Sequence, residues 1–433
     1  MKNDEYLILG NSTAAVAAIE AIRVVDRATP ITLVSRESWH TYSRPLISYL
    51  LAGELDEQRM YYRAPDFYRT HKVTPHLGVT ATRIDPENRV VMTDRDQALP
   101  FARLLIATGG KPIRPPLEGT DAQGVFTFVS WDDIRAIDTW IGACSAGAAP
   151  PRVVIVGAGL IGLKALEAFR ARALETVVVE REDRVLPQSL DKQGSELVEQ
   201  AIENAGAEIL CSTCVDRILK DDTGRVAGVA LETGRTIPCE LVILATGVAP
   251  DTTLVQGTSI KTDRGILIDR RCMTSVDGLY AAGDVVQGMD TLSGASRPLP
   301  LFPNAFRQGR VAGTNMAGGQ AALGGCFPMN AVEVFGLPVI SVGLSTASGN
   351  GFTVLDRRGP AGPSYRRVVL RDNRVVGAVF IGDIERAGIL TGLMRGRVDV
   401  SGIAETLLTD DFGILSLPAD YRKHVVQGEG IEV

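Results

Sequence analysis

The 433-residue sequence predicts an α/β fold of parallel sheets, one unit inserted into another, followed by a C-terminal α+β unit. Three observations predict it. Short β-rich apolar runs alternate with helix-period segments through the first 320 residues. Two strand–helix junctions are small-residue turns, GNSTAA at 10–15 and GAGLIG at 157–162. The signal Ala-Thr-Gly followed by proline occurs twice, at 107–109 and 245–247, and brackets the second turn.

Strands are expected at 5–9, 31–34, 103–107, 152–156, 176–180, 240–245 and 278–282, and helices at 13–27, 131–141, 160–173 and 193–205. The Pro-rich KPIRPPLEG (111–119) and GVAPD (247–251) mark the crossings between units. The expected division is 1–115 and 247–325 for the outer unit, 116–246 for the insert and 326–433 for the last unit. SAGAAPP (145–151) reads as a surface loop of the insert. Beyond 325, YRRVVL, a turn at Asp372-Asn373 and RVVGAVFIG read as a β-hairpin.

Bulk properties exclude several classes. A net charge of -6 gives no reason to expect nucleic acid or an anionic membrane as partner. Six cysteines are too few for a disulfide scaffold and fit a reducing compartment. MKNDEY lacks the long apolar region of a secretory signal, and the longest apolar stretch, Val153–Leu163, holds three glycines and is too short to span a bilayer. A cytoplasmic location is expected. His40, His71, His76 and His424 show no metal-ligand spacing, so no metal is expected.

GAGLIG is a complete dinucleotide fingerprint in the strand–turn–helix context that gives it meaning. Gly157 permits the tight turn, Gly159 lets a pyrophosphate approach the backbone, and Gly162 lets the helix pack on the strand. Leu160 and Ile161 open that helix, whose N-terminal amides would hold the diphosphate. Glu180, 23 residues after Gly157, ends the next strand where a carboxylate binds adenine-ribose hydroxyls. GNSTAA is the same pattern with substitutions. Gly10 is kept, Ser12 replaces the second glycine with a small polar side chain, and Ala15 is an accepted third residue. Its acid position holds Ser35, with Glu37 two residues on.

LYAAGDV (279–285), the two Ala-Thr-Gly segments, LFPNAFRQGRVAGTNMAG (301–318) and TYSRPLISYLLAG (41–53) occur in order. With these motifs the chain resembles the FAD-dependent pyridine nucleotide-disulfide oxidoreductase superfamily. The resemblance implies two Rossmann-like domains, an NAD domain inserted in an FAD domain, and FAD and NAD as cofactors. It makes GNSTAA an altered FAD site and places Asp284, after Gly283, on the flavin ribitol. It assigns Arg44 and Pro45 to a flavin-contacting turn, and Ala81, Ala107, Thr108, Gly109 and Gly247 to the cofactor-binding set.

Disulfide-using branches carry reactive cysteine on the helix after the first βαβ unit. This chain has no cysteine before Cys144, and Ser48 stands near that place. A serine cannot cycle between thiol and disulfide. The chain is instead similar to NADH-linked flavoproteins of nitrite-reductase type and to FAD subunits of phenylglyoxylate dehydrogenase-type complexes. That implies hydride exchange between NAD(H) and FAD, single electrons to or from an external iron–sulfur protein or subunit, and a hetero-oligomer. A stand-alone NADH:small-acceptor reductase or oxidase is the first rival, and a flavin-less structural subunit the second.

Related ferredoxin-reductase branches pair a lysine after the flavin turn with a glutamate on the NAD-domain helix. Here those positions hold Tyr49 and Lys164. Lys164 is therefore either a cation moved across the same gap, where it would favour reduced flavin, or a solvated helix residue. Cys211-Ser-Thr-Cys214, a lone CxxC expected on a strand, reads as packing. Arg357–Arg397 carries nine Arg against Asp372, Asp383 and Glu385. It reads as a solvated hairpin face or as a dock for an acidic redox partner.

Overall fold

The computed structural model describes residues 5–145, 150–359, 362–418 and 422. The chain separates into two compact units: residues 1–116, 123–151 and 243–327, and residues 117–122, 152–242 and 328–433. The loop expected at 145–151 falls mostly on 146–149, outside the described residues.

In the first unit, five strands form a parallel sheet in the order Leu279–Ala281, Arg103–Ile106, Tyr6–Leu9, Ile31–Ser35, Val73–Leu77. Tyr6–Leu9 is buried throughout, as a central strand covered on both faces must be, which is why it reads as a continuous apolar run. Its neighbours are reached by crossovers in opposite directions. A crevice therefore opens at its carboxyl end, where GNSTAA begins. Helix Thr13–Val25 follows the turn with nine residues buried and packs on helix Phe302–Met316. Gly309 and Gly313 of that helix lie against the backbone of Ala14 and Ala18. The two Ala-Thr-Gly segments lead into one antiparallel ribbon, Gly110–Pro112 with Val248–Pro250.

In the second unit, Val153–Val156, Thr176–Val179 and Glu208–Leu210 pair in parallel. Helix Leu160–Ala171 follows GAGLIG, and helix Lys192–Asn204 is capped by the Asp191 side chain, which accepts from the Gly194 amide. Five antiparallel strands follow in the order Met329–Val334, Leu337–Gly343, Arg374–Ile381, Tyr365–Arg371, Thr353–Arg358. The expected hairpin turn is there, with φ of 50° at Asp372 and 55° at Asn373, the left-handed pair a two-residue loop requires.

Two expectations are corrected. Cys211 and Cys214 lie in the loop between Glu208–Leu210 and Val215–Lys220. Ser212 between them takes φ of 49°, which ends the strand. Burial pushes the Cys211 thiol up to about 12 and Cys214 upward as well. The arginine run is only in part a solvated face: Arg357, Arg358, Arg374, Arg386, Arg395 and Arg397 are exposed, but two members turn inward. Arg367 is 8% exposed and pairs with Asp191, and Arg366 is 13% exposed between Asp383 and Asp410. Arg358 meets Glu196 at 2.7 Å, and Arg357 and Arg386 bond carbonyls of the segment 408–412. With Tyr365 also bonding Asp191 at 2.8 Å, Arg358, Tyr365 and Arg367 knit the C-terminal sheet to residues 191–196 within the second unit.

Candidate functional site

The two turns have the same backbone. Gly10 has φ of 114° and Gly157 of 109°, a region closed to most side chains. A Cβ on Gly10 would lie 2.1 Å from the Ala107 carbonyl oxygen. The next key positions are extended, with φ of -103° at Ser12 and -76° at Gly159, so an L-residue fits without strain. Both are helix N-caps, and the Ser12 hydroxyl makes no capping bond, which leaves it and the helix amides for an anion. A Cβ on Gly159 would meet nothing within 4 Å, so the approach to that helix end is open. Ala15 and Gly162 are buried, as close packing of helix on strand demands.

Around GNSTAA the first unit assembles most of the expected flavin-site residues. Ser35 ends its strand buried, and its carbonyl accepts from Val79, two residues before Ala81 opens the strand Ala81–Asp85. Glu37 is held by Arg44 and, at 2.5 Å, by the Tyr42 hydroxyl. Its carboxylate therefore orients Arg44, whose guanidinium also donates to the Val129 carbonyl. Pro45 sits in the turn Arg44–Leu46 that starts helix Ile47–Ala52. On that helix Ser48 is buried and its Oγ has no hydrogen-bond partner among the described residues. Ala107 takes the Leu9 carbonyl at 2.8 Å, Thr108 reaches the Asp251 carbonyl, and Gly109 and Gly247 adopt positive φ at the ribbon ends.

Gly283 (φ 87°) turns the chain out of strand Leu279–Ala281, and its amide donates to Gln308 at 2.9 Å. Among the described residues no donor reaches the Asp284 carboxylate. Burial pushes its pKa up, and the positive charge of Arg44 partly offsets that. A half-buried carboxylate without protein donors is unfavourable unless water or a ligand supplies them. Together with the Ser12 hydroxyl, it fits a cofactor carrying both hydroxyls and phosphates.

In the second unit, Glu180 is buried and accepts from the amides of Ala158 at 2.6 Å and Glu182 at 2.9 Å. Two backbone donors fix the carboxylate at the edge of the GAGLIG turn. Leu160 and Ile161, half-buried, form the first turn of the helix. Lys164 is 20% exposed; its ammonium meets Glu167 at 2.6 Å and the Glu333 carbonyl at 3.2 Å, so it is not simply solvated. Glu167 in turn accepts from the Phe335 amide at 2.8 Å.

Sequence reasoning passed over Asn11, Tyr68 and Gln308, whose side chains tie the turns in place. The only signal was a polar residue, Asn11, in a turn otherwise made of small ones. No helix among the described residues is long and apolar enough to cross a membrane.

The model of the family described as pyridine nucleotide-disulphide oxidoreductase matches residues 4–309, and that of the rubredoxin NAD+ reductase C-terminal domain matches residues 328–398. The chain is 30% identical over 418 residues to NADH-dependent phenylglyoxylate dehydrogenase subunit epsilon from Aromatoleum evansii, covering 96% of this chain and 97% of that one. It is 28% identical over 405 residues to nitrite reductase [NAD(P)H] from Bacillus subtilis (strain 168), covering 93% of this chain but 48% of that protein. Among solved structures, the covalent putidaredoxin reductase–putidaredoxin complex matches with a TM-score of 0.85 at 24% identity, covering 99% of this chain and 100% of that one, a likeness of fold.

Proposed function

The chain belongs to the pyridine nucleotide-disulphide oxidoreductase family and is an FAD-dependent NAD(H) oxidoreductase, and from that premise we propose that it is the electron-transfer flavoprotein of a larger cytoplasmic complex. Its partner is an iron–sulfur protein or subunit, and a 2-oxoacid dehydrogenase of phenylglyoxylate type is the favoured assembly. One observation carries this reading. The position near which disulfide-using relatives keep a cysteine is Ser48, so the chain lacks an internal thiol acceptor there and electrons must pass to another molecule. Similarity along nearly the whole length of a complex subunit supports it. Flavin supplies the conversion between two-electron and one-electron transfer.

The residues divide by task. Gly10, Ser12, Ala15, Ser35, Arg44, Pro45, Ala81, Ala107–Gly109, Gly247, Gly283 and Asp284 hold FAD, with Glu37 orienting Arg44. Gly157–Gly162 and Glu180 hold NAD(H). The proposed boundaries remain 1–115 and 247–325 for the FAD domain, 116–246 for the NAD domain and 326–433 for the C-terminal domain. The test is turnover of the isolated chain. Rapid NADH-driven reduction of a low-potential ferredoxin with slow NADH consumption in air supports the proposal. Fast oxygen-linked turnover without a partner protein favours the stand-alone oxidase.

NADH is expected to be preferred over NADPH. Two like charges about 5 Å apart interact by roughly 3 kcal/mol at an effective dielectric of 20, about a hundredfold in affinity. Glu180, fixed by two amides, would set that repulsion against a 2'-phosphate. The exposed Arg181 is turned to Glu182 at 3.0 Å. The ratio of kcat/KM values measures the effect, Glu180→Gln should narrow it, and equal values for the native chain would refute the assignment.

Lys164 is proposed to favour reduced flavin, with Glu167 as its counter-charge. Lys164→Ala leaves Glu167 unopposed, so the flavin midpoint potential should fall and reduction by NADH should slow. Lys164→Ala with Glu167→Gln should recover part of the loss. An unchanged potential in the single variant leaves Lys164 a structural tie between its helix and the strand Met329–Val334.

A further inference from the structure

We propose that Asn11 and Tyr68 form a clamp that positions the strap 37–44 against the GNSTAA turn and thereby sets how tightly FAD is held. This rests on the assignment of that turn to FAD.

Both ends of the Asn11 amide are used. Its Nδ2 donates to the Trp39 carbonyl at 3.1 Å, and its Oδ1 accepts from the Tyr68 hydroxyl at 2.8 Å. The Tyr68 oxygen accepts in turn from the Thr41 amide at 3.1 Å. One side chain of the turn and one of helix Phe67–Thr70 thus fasten two successive peptide groups of the strap on either side of His40. Tyr68 is 7% exposed, and burial raises its pKa, which keeps the phenol a donor. The strap carries Glu37 at one end and Arg44 at the other, and it is anchored again by Tyr42, which donates to Glu37 and accepts from the Trp131 amide. His40 Nε2 and Thr41 Oγ1 are buried without hydrogen-bond partners among the described residues. Elsewhere the strap is held by the Tyr62 amide on the Thr41 carbonyl, the Ser43 amide on the Met60 carbonyl and the Trp39 indole on Asp132. The Asn11–Tyr68 pair adds the side-chain tie between the strap and the turn, from the residue next to Ser12.

The glycine at the first position of the turn cannot provide this, and a smaller residue at the second would leave the strap joined to the turn by no side chain. Asn11 and Tyr68 are positioning residues: they act on FAD through Ser12, Glu37 and Arg44.

The experiment titrates the deflavinated chain with FAD and compares native, Asn11→Ala, Tyr68→Phe and the double variant. Each single change should weaken FAD binding by roughly 10- to 100-fold, and the double variant should lose less than the two single losses combined, because both remove the shared Tyr68–Asn11 bond. Visible circular dichroism of the residual bound flavin should change shape. Tyr68→Phe keeps the ring in place, so its apoprotein should melt near the native temperature and carries the test if Asn11→Ala folds poorly. Native affinity in Tyr68→Phe, or additive losses in the double variant, overturns the clamp. Failure of the native chain itself to bind FAD would instead overturn the cofactor assignment.

Discussion

Gly309→Val should unfold the first unit or leave a chain that cannot be purified in soluble form. Gly309 lies inside helix Phe302–Met316, and a Cβ there would be 2.1 Å from the Ala14 carbonyl oxygen and 2.9 Å from its Cα. One turn on, a Cβ at Gly313 would be 2.3 Å from the Ala18 carbonyl oxygen. These are backbone atoms of a helix buried along most of its length, so neither side can yield by rotating a side chain. The helices would have to separate, exposing Ala14, Ala15 and Ala18 and moving the turn that begins at Gly10. Overpacking ordinarily costs about 1–3 kcal/mol, and a backbone-to-backbone clash with a β-branched residue should exceed that range. Gly142→Ala provides the contrast. It too is a helical glycine, within Trp131–Ser145, but its Cβ would meet nothing within 4 Å, so alanine should be neutral or stabilising by up to about 1 kcal/mol. Thermal melts of the two variants beside the native chain decide the matter, and native-like melting of Gly309→Val would show that the packing of the two helices is wrongly placed.

What could be read in advance followed the range over which the chemistry acts. Tyr6–Leu9 and Val153–Val156 declare themselves because a doubly covered strand must be apolar at every position. Asp372-Asn373 declares the hairpin because its left-handed φ values restrict the residues allowed there. GNSTAA was harder, since its substituted position, Ser12, is extended and any small residue fits. The charged side chains were least legible. Arg367 finds Asp191 176 positions away, and Arg358 finds Glu196 162 positions away, so a local count of charge in Arg357–Arg397 could not show that these members of the run meet acids outside it. Glu37 illustrates the same limit at short range. Its position suggested a cofactor ligand, and its sequence did not show that its two oxygens also take Arg44 and Tyr42. CSTC was expected on a strand and lies in a loop, because alternation of apolar residues continued past the point where Ser212 turns the chain.

Asp284→Asn should produce an apoprotein more stable than the native one that nonetheless holds FAD far more weakly. The native apoprotein carries a carboxylate pushed toward its neutral form by burial, with Arg44 offsetting only part of the effect and no hydrogen-bond donor among the described residues. A carboxyl group whose pKa is raised in the folded state binds its proton more tightly folded than unfolded. Its ionisation therefore costs stability, fully above the raised pKa, and that cost fades as pH falls toward the unfolded value near 3.9. Asparagine removes the charge, so the variant's advantage in urea or thermal unfolding should be largest near neutral pH and absent below about pH 4. Binding runs the other way. The carboxylate offers strong acceptors to the ribitol hydroxyls, and hydrogen bonds to a charged group are worth about 1.5–3 kcal/mol each. Losing one such bond should weaken FAD by roughly 10- to 150-fold, and Asp284→Ala, which removes both oxygens, should lose more. Gly283 and its bond to Gln308 remain in both variants, so the turn itself is not the cause. Equilibrium dialysis of FAD and pH-dependent unfolding of the apoprotein separate the two effects. Full flavin retention on dilution would remove Asp284 from the site, and an apoprotein no more stable at neutral pH than at pH 4 relative to native would show that the carboxylate is better solvated than its burial indicates.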